Sequence, residues 1–316
     1  SEGWDAYAHP LALIHNAERL NPHIRNEVRP LDLSEASRLA LRQGIDSGRY
    51  QRIIVHLSEG VDAASLTEFY TWRDWGFVDG SAAIVHGVPL GESEFAQMAQ
   101  VGARLIWSPQ SNLWLYGRTA DIPAALRQGV SVSLATDWTL SGSYNLLDEL
   151  RVAATLNAEE YGGLLTARDL VEMVTTIPAE HLGLEQTVGR LSPGYLADLM
   201  VVRGDRAAPY EALLTAELTD VALTMVSGRA LYGDPDLMAM LPVTGAVEES
   251  LSICGAHKML RVAYDAPWIE GANDTLAQIT AGLGQAQPAP LPLDLCSVRG
   301  WAVLPLVCDP CRDADY

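Results

Sequence analysis

The sequence lacks any long apolar run and any excess of positive charge. No stretch of the 316 residues approaches the roughly 18 consecutive apolar residues that a membrane-spanning helix needs. The first residues, SEGWDAYAHP, lack the basic and then apolar pattern of a signal peptide. Forty acidic against 21 basic side chains give a formal charge of −19, which opposes binding to nucleic acid or to an anionic membrane surface. We therefore expect a soluble, cytoplasmic protein whose partner is a small molecule or a peptide.

Cysteine is scarce, and its four copies, Cys254, Cys296, Cys308 and Cys311, are confined to the last fifth of the chain. A C-x-x-C pair such as the one in VCDPCRD needs two further ligands to hold zinc, or a helix that opens on it to act in redox chemistry. Pro310 inside the pair and the closeness of the last residue argue against both. We therefore assign the pair to a turn with free thiols or a local disulfide.

Apolar runs alternate with helical patterns from residue 52 to about residue 200. The runs RIIVHL, SAAIVHG, ARLIWSP and VSVSLATD begin at residues 52, 81, 103 and 130, and the helical patterns between them end near glycine. This order is typical of a parallel sheet in which a helix follows each strand. At 48% hydrophobic residues, the chain can bury the core of one large domain with a smaller companion.

Polar residues lie at the carboxyl ends of these runs, at His56, His86, Ser108 and Asp137. Parallel α/β folds form their ligand sites at this edge. Histidine and carboxylate are ligands for zinc or iron, which activate a bound water. A nearby carboxylate such as Glu59 can then move protons. Each residue alone also has a structural explanation, but their occurrence on four strand ends favours a catalytic site.

The pattern changes after residue 190. VGRLSPGYLADLMVVRG and DVALTMVSGRALYGDP predict short strands with glycine turns, in a small β unit of about 40 residues. Beyond residue 240 the pattern loosens, and GLGQAQPAPLPLD is typical of a linker or surface loop.

Five segments, taken in order, resemble a known family. They are VHLSEG, IVHGVPL, IWSPQSNLWLYG, VSLATDWTLSGSYNLLDELRVA and VGRLSPGYLADLMVV, over roughly residues 50 to 235. The sequence resembles the amidohydrolase superfamily, in its cytosine deaminase-like and triazine hydrolase-like branch. The resemblance implies an α/β fold, a (β/α)8 TIM-type barrel of which strands five to eight are visible, with a small β-sandwich domain. It implies barrel residues at 1–190, sandwich strands at 191–235 and an extension at 236–316 that is partly sandwich and partly loop.

The resemblance also implies a role for each site residue. His56 and Asp137 would bind one divalent metal, taken as zinc, with iron or manganese as alternatives. Glu59 would be the proton shuttle, and His86 would face the substrate atom under attack. Substrate-binding side chains are expected at Ser111, Asn112 and Trp138. The implied activity is metal-dependent hydrolysis of a non-peptide carbon–nitrogen bond, by deamination or amide hydrolysis.

One part of the family pattern is absent. The family places an H-x-H pair at the end of strand one, whereas His9, His15 and His23 form no such pair. About 50 residues precede the strand-five motif, but four βα units need on the order of 120.

Three explanations remain open for this absence. The one we prefer is a C-terminal fragment, whose N-terminal barrel segment belongs to a longer protein or to a complementing chain. The second is a metal-less homologue that acts as a binding or structural subunit. The third is a rebuilt fold in which an early histidine substitutes. The sequence leaves a homo-oligomer open.

Overall fold

The computed structural model describes residues 15–138, 140–263 and 274–286, which fall into two compact units. The first unit contains residues 21–190, and the second contains the described residues before and after that range. Helix α1 (Ala17–Leu20) is the first of the described helices and belongs to the second unit. Within the described ranges, no helix is both long and apolar enough to cross a membrane.

The first unit is built on a sheet of five parallel strands, which lie side by side in chain order. The strands are β1 (Ile24–Glu27), β2 (Arg52–Leu57), β3 (Ala82–His86), β4 (Arg104–Trp107) and β5 (Val132–Leu134). The helices of this unit are α2 (Glu35–Asp46), α3 (Ala63–Asp74), α4 (Glu92–Val101), α5 (Pro109–Tyr116), α6 (Ile122–Gln128), α7 (Leu146–Glu159), α8 (Ala167–Glu172) and α9 (Thr176–His181). The predicted alternation of parallel strands and helices is confirmed for β2 to β5.

Strand β1 was not predicted. Its sequence, IRNE, contains no apolar run, because Arg25 and Asn26 are exposed and only Ile24 and Glu27 are buried. It pairs with β2 at the edge of the sheet. The sheet therefore has one more strand than the four that the sequence predicted. No pairing among the described strands joins β1 to β5, so the closed eight-stranded barrel stays a prediction.

The strands differ in how completely they are buried. All five residues of β3, at the centre of the sheet, are buried, as expected for a strand covered on both faces. Strand β2 alternates instead, so that Val55 and Leu57 are buried while Ile54 and His56 are partly exposed. The alternation gives His56 access to the surface at the end of an apolar strand.

Helix ends follow the signals in the sequence. Asp62 caps α3 by accepting a hydrogen bond from the backbone N–H of Ser65, and Asn145 caps α7 in the same way. Gly102 and Gly129, in the left-handed conformation, end α4 and α6 as the sequence predicted.

The second unit is built on a five-stranded antiparallel sheet in the order β6-β7-β8-β10-β9. The strands are β6 (Leu199–Val202), β7 (Val221–Val226), β8 (Arg229–Gly233), β9 (Glu249–Ile253) and β10 (Ala256–Leu260). The helices are α10 (Pro209–Thr215), α11 (Pro235–Met240) and α12 (Leu276–Ala286), in addition to α1. Strands β9 and β10 lie beyond residue 235, within the extension 236–316 for which the resemblance implies part sandwich and part loop.

The first residues of the predicted linker are helical in the structure. Residues 282–286 of GLGQAQPAPLPLD are the last residues of α12. Gly282 and Gly284 lie inside this helix, because the neighbouring alanine, leucine and glutamine residues have high helix propensity. The rest of the predicted linker, together with Cys296, Cys308 and Cys311, lies outside the described residues.

Candidate active site

Three ligand-type side chains meet at the carboxyl edge of the parallel sheet. One potential ligand atom from each of His56, His86 and Asp137 lies within 4.8 Å of the other two. The ring centroids of the two histidines are 5.4 Å apart. His86 is fully buried, whereas His56 and Asp137 are partly exposed. The parallel sheet explains this convergence, because the carboxyl ends of its strands share one edge.

Strained backbone is concentrated at the same edge. Ser58, His86 and Asp137 have φ angles of 56°, 79° and 59°, in the left-handed region that costs about 1–3 kcal/mol for a residue other than glycine. His86 is paired with Leu57, so a regular strand would direct it away from the neighbouring His56. The left-handed backbone breaks this alternation, and the two imidazole rings lie together.

Glu59 lies beside His86 on the segment between β2 and α3. Its Oε2 is 3.4 Å from Nε2 of His86, and its Oε1 accepts a hydrogen bond of 3.1 Å from the hydroxyl of Tyr116. About a third of the Glu59 side chain is exposed (33%). The carboxylate therefore contacts both the buried histidine and solvent.

Burial and the neighbouring charges set the protonation of the site. Burial lowers the pKa of His86, and the opposing attraction of Glu59 and Asp137 is the smaller effect. The ring is therefore neutral at pH 7. Burial, together with the negative charge of Glu59, raises the pKa of Tyr116 to about 12, so its hydroxyl stays a hydrogen-bond donor.

Helix α5 supplies a polar partner to three of the site residues. Ser111 donates to Oδ2 of Asp137 at 2.6 Å, and Nδ2 of Asn112 lies 3.0 Å from Nδ1 of His86. Tyr116, four residues after Asn112, is the donor to Glu59. Ser111 and Asn112 are fully buried. That these two also contact substrate stays a prediction.

A buried carboxyl group holds the start of α5. Oε1 of Glu149 accepts a hydrogen bond of 3.1 Å from the backbone N–H of Gln110. Glu149 is fully buried, and this burial raises its pKa to about 7. A negative charge at this end of a helix is favourable, because the helix dipole is positive there.

The remaining predicted site residues lie on the segments that follow β4 and β5. Ser108 directly follows β4, is buried and precedes α5. Trp138 follows Asp137, and 65% of it is exposed. The next turn brings Ser141 back, so that its hydroxyl is 2.9 Å from that of Ser111. A contact between Trp138 and substrate stays a prediction.

The residues at the site fit a metal ion. Nδ1 of His56 and Nε2 of His86 are buried and have no hydrogen-bond partner. Buried polar atoms are seldom left in this state. The imidazole of His56 and the carboxylate of Asp137 are donor types that zinc takes in catalytic sites, where three protein ligands are usual.

The early histidines lie elsewhere. Nε2 of His15 is 3.0 Å from Oδ1 of Asp198 in the second unit. Nδ1 of His23 is 3.0 Å from the carbonyl oxygen of Arg49. His9 lies outside the described residues. Neither His15 nor His23 joins the ligand cluster, so the explanation in which one of them replaces the H-x-H pair finds no support.

Comparison with known proteins decides the family. The profile of the amidohydrolase family matches residues 51–231, which is more than half of the chain. The chain belongs to the amidohydrolase family. The resemblance predicted from the five sequence segments is thereby confirmed, and family membership implies a TIM-barrel-type fold.

The amidohydrolase relatives include deaminases. The chain is 33% identical over 177 residues to a 5-methylthioadenosine/S-adenosylhomocysteine deaminase of Desulfitobacterium hafniense. The aligned region covers 53% of this chain and 41% of the relative. The chain thus spans about half the length of the curated relatives that it matches.

Two solved structures that are similar to this chain contain zinc. An adenosine deaminase from Xanthomonas campestris with bound zinc has a TM-score of 0.58 and 22% identity, over 66% of this chain and 50% of that one. A mutant atrazine chlorohydrolase from Arthrobacter aurescens, complexed with zinc and atraton, has a TM-score of 0.55 and 25% identity, over 72% of this chain and 52% of that one. The first of these likenesses concerns the fold alone.

Proposed function

We propose that this chain contributes to the active site of a metal-dependent hydrolase that acts on a non-peptide carbon–nitrogen bond of a small molecule. The observation that carries the proposal is the convergence of His56, His86 and Asp137 within 4.8 Å, with Glu59 in contact with His86. The deaminase relatives favour deamination of an amino-substituted ring over amide hydrolysis. In this proposal residues 21–190 form part of the barrel, and the antiparallel sheet belongs to the small β domain.

His56 and Asp137 would hold a divalent metal. Zinc is the first choice because the atrazine chlorohydrolase structure contains it, and iron or manganese would suit the same donors. When bound, the ion would supply a water molecule with a lowered pKa. Ser111 orients Asp137, because its hydroxyl donates to Oδ2 and leaves Oδ1 for the metal.

Glu59 moves the proton in this proposal. Tyr116 occupies its Oε1, so Oε2, on the side of His86, is the oxygen that accepts a proton and returns it to the leaving nitrogen. His86 is neutral and fully buried, and it donates a hydrogen bond from Nε2 to the negative charge that develops on the substrate.

The substitution Glu59→Gln tests the proposal. The amide cannot accept and return a proton, so ammonia release from 5-methylthioadenosine should fall by about 100-fold to 10,000-fold while zinc stays bound. Ammonia release and zinc content are measured for the chain alone and for the chain mixed with the amino-terminal half of the Desulfitobacterium relative. The matched control is Glu18→Gln, because Glu18 lies on α1 in the second unit. Equal turnover in the Glu59→Gln variant and the unsubstituted protein would remove Glu59 from the mechanism.

A metal-less binding or structural subunit is the second candidate. It is favoured by the small ligand set, because the described residues offer three ligand groups at one place and no further cluster. Equilibrium dialysis against zinc separates the two candidates. Zinc bound in a one-to-one ratio and lost in Asp137→Asn supports the enzyme. No bound zinc, with or without the complementing half, supports the subunit.

A further inference from the structure

A row of hydrogen-bonded side chains leads from Trp107 to His86. Nε1 of Trp107 donates to Oγ1 of Thr119 at 2.7 Å. Oγ1 of Thr119 donates in turn to Oδ1 of Asn112 at 3.2 Å. Nδ2 of Asn112 lies 3.0 Å from Nδ1 of His86. Trp107, Asn112 and His86 are fully buried, and Thr119 is partly buried, so water has little access to this row.

Trp107 sets the direction of the row, because an indole N–H can only donate. Thr119 accepts from it and keeps its own proton for the carbonyl oxygen of Asn112. The amide of Asn112 then presents its NH₂ group to His86. If the amide were reversed, both the indole N–H of Trp107 and the NH₂ group of Asn112 would donate to Oγ1 of Thr119. The hydroxyl proton of Thr119 would then lose its acceptor, the carbonyl oxygen of Asn112.

The direction of the row determines where the imidazole proton sits. A neutral imidazole has one N–H and one acceptor nitrogen. Because the NH₂ group of Asn112 faces Nδ1, that nitrogen accepts and the proton is on Nε2. Nε2 is the nitrogen that lies 3.4 Å from Oε2 of Glu59 and has no hydrogen-bond partner.

We infer that Asn112, oriented by Thr119 and Trp107, is a positioning residue that keeps the proton of His86 on Nε2. The inference rests on the proposed function, in which His86 donates a hydrogen bond to the substrate. It also separates His86 from the metal ligands, because a protonated Nε2 has no lone pair to offer. His56 and Asp137 are then the ligands that this chain supplies.

Nitrogen-15 NMR of the histidine side chains tests this inference without turnover. Long-range proton–nitrogen spectra of the full chain, recorded at pH 7 with and without zinc, distinguish a protonated ring nitrogen from an unprotonated one. The expected result is a proton on Nε2 of His86 and none on Nδ1 in both samples. A proton on Nδ1, or Nε2 bound to zinc, would overturn the inference.

Two variants test the role of the row. Asn112→Asp presents only acceptors to His86 when ionised, so the proton should move to Nδ1. Thr119→Val removes the hydroxyl that orients the amide of Asn112, so both tautomers of His86 should be populated. Because Thr119 is only partly buried, this variant tests the row even if Asn112→Asp does not fold. The control is Thr71→Val, since the Thr71 hydroxyl donates to a carbonyl within α3. Spectra of His86 that stay unchanged in a folded Thr119→Val variant would contradict the role of the row.

The two proposals can fail separately. A chain that releases ammonia but carries the proton on Nδ1 of His86 retains the proposed function and loses this inference. A chain that carries the proton on Nε2 and releases no ammonia from 5-methylthioadenosine, alone or with the complementing half, retains this inference and loses the proposed function.

Discussion

At the scale of single residues, the proposed catalytic groups depend on polar partners that are wholly or partly buried. Glu59 is held by Tyr116, Asp137 by Ser111 and His86 by Asn112. Each partner fixes one atom of its site residue and leaves another atom free to act. Such partners orient the side chains of a site, and their removal should change rates or affinities more than folding.

Replacing Tyr116 by phenylalanine should slow turnover. The change removes a hydrogen bond to a carboxylate, an interaction of about 1.5–3 kcal/mol, so kcat should fall by roughly 10-fold to 100-fold. Steady-state ammonia release measures the loss. The matched control is Tyr70→Phe, because the Tyr70 hydroxyl donates to the carboxylate of Glu94 on α4, away from the ligand cluster. An equal fall in kcat for both variants would contradict a specific role for Tyr116.

Replacing Glu149 by glutamine should change how stability depends on pH. Burial raises its pKa from the ordinary 4.5 to about 7, so between these values the folded state binds more protons than the unfolded state. The free energy of unfolding therefore falls as pH rises through this window, by about 3 kcal/mol in total. Urea unfolding at pH 5 and pH 8 should show this fall in the unsubstituted chain and a smaller one in Glu149→Gln. Identical pH profiles would contradict the shifted pKa.

At the scale of secondary structure, α5 is the element on which the site depends. Glu149 holds its start, Gly117 in the left-handed conformation ends it, and the three partners of the site residues lie between. A change in the position of this helix would displace all three partners together. Its end is therefore a place where a local change should affect both folding and activity.

The substitution Gly117→Ala tests this dependence. Gly117 has φ +68°, and a Cβ there would meet no atom within 4 Å, so the cost is conformational and amounts to about 1–2 kcal/mol. The control is Gly102→Ala at the end of α4, where φ is +75° and a Cβ also meets open space. Both variants should lose similar unfolding free energy in urea, and only Gly117→Ala should lose turnover as well. Loss of turnover in both would assign the effect to stability alone.

The elements that the sequence predicted are those with strong local signals. Strands β2 to β5 combine apolar runs with helices that end at glycine, and those signals do not depend on the rest of the fold. Strand β1 is a polar edge strand without an apolar run. Helix α5 has boundary signals, with Pro109 at its start and Gly117 after its end, but it lacks an apolar period that would mark it as a helix.

The sequence likewise predicted the part of the candidate site that lies at strand ends, but not every residue that holds it. His56, Glu59, His86 and Asp137 were found because strand ends meet at one edge of a parallel sheet. Thr119 and Glu149 act through contacts between distant parts of the chain, and no local pattern marks them. The only sequence signal for Tyr116 is its spacing of four residues from Asn112, which is informative only once the helix is known.

At the scale of the whole molecule, the acidic surplus has a consequence for stability. A formal charge of −19 makes the compact state repel itself, and salt screens this repulsion. Raising the ionic strength from about 0.01 M to about 0.15 M should therefore raise the unfolding temperature. Calorimetry at pH 8 measures the change, with sucrose of matched osmolality as the uncharged control. A temperature that stays constant or falls with salt would contradict the prediction.

The left-handed backbone at Ser58, His86 and Asp137 has a consequence for directed evolution. Glycine adopts that conformation with less strain than serine, histidine or aspartate. A selection for heat resistance alone would therefore favour such replacements at these three positions. Survivors changed at His86 or Asp137 would fold better and would have lost a group proposed to act on substrate or metal, so stability screens of this protein need an activity filter.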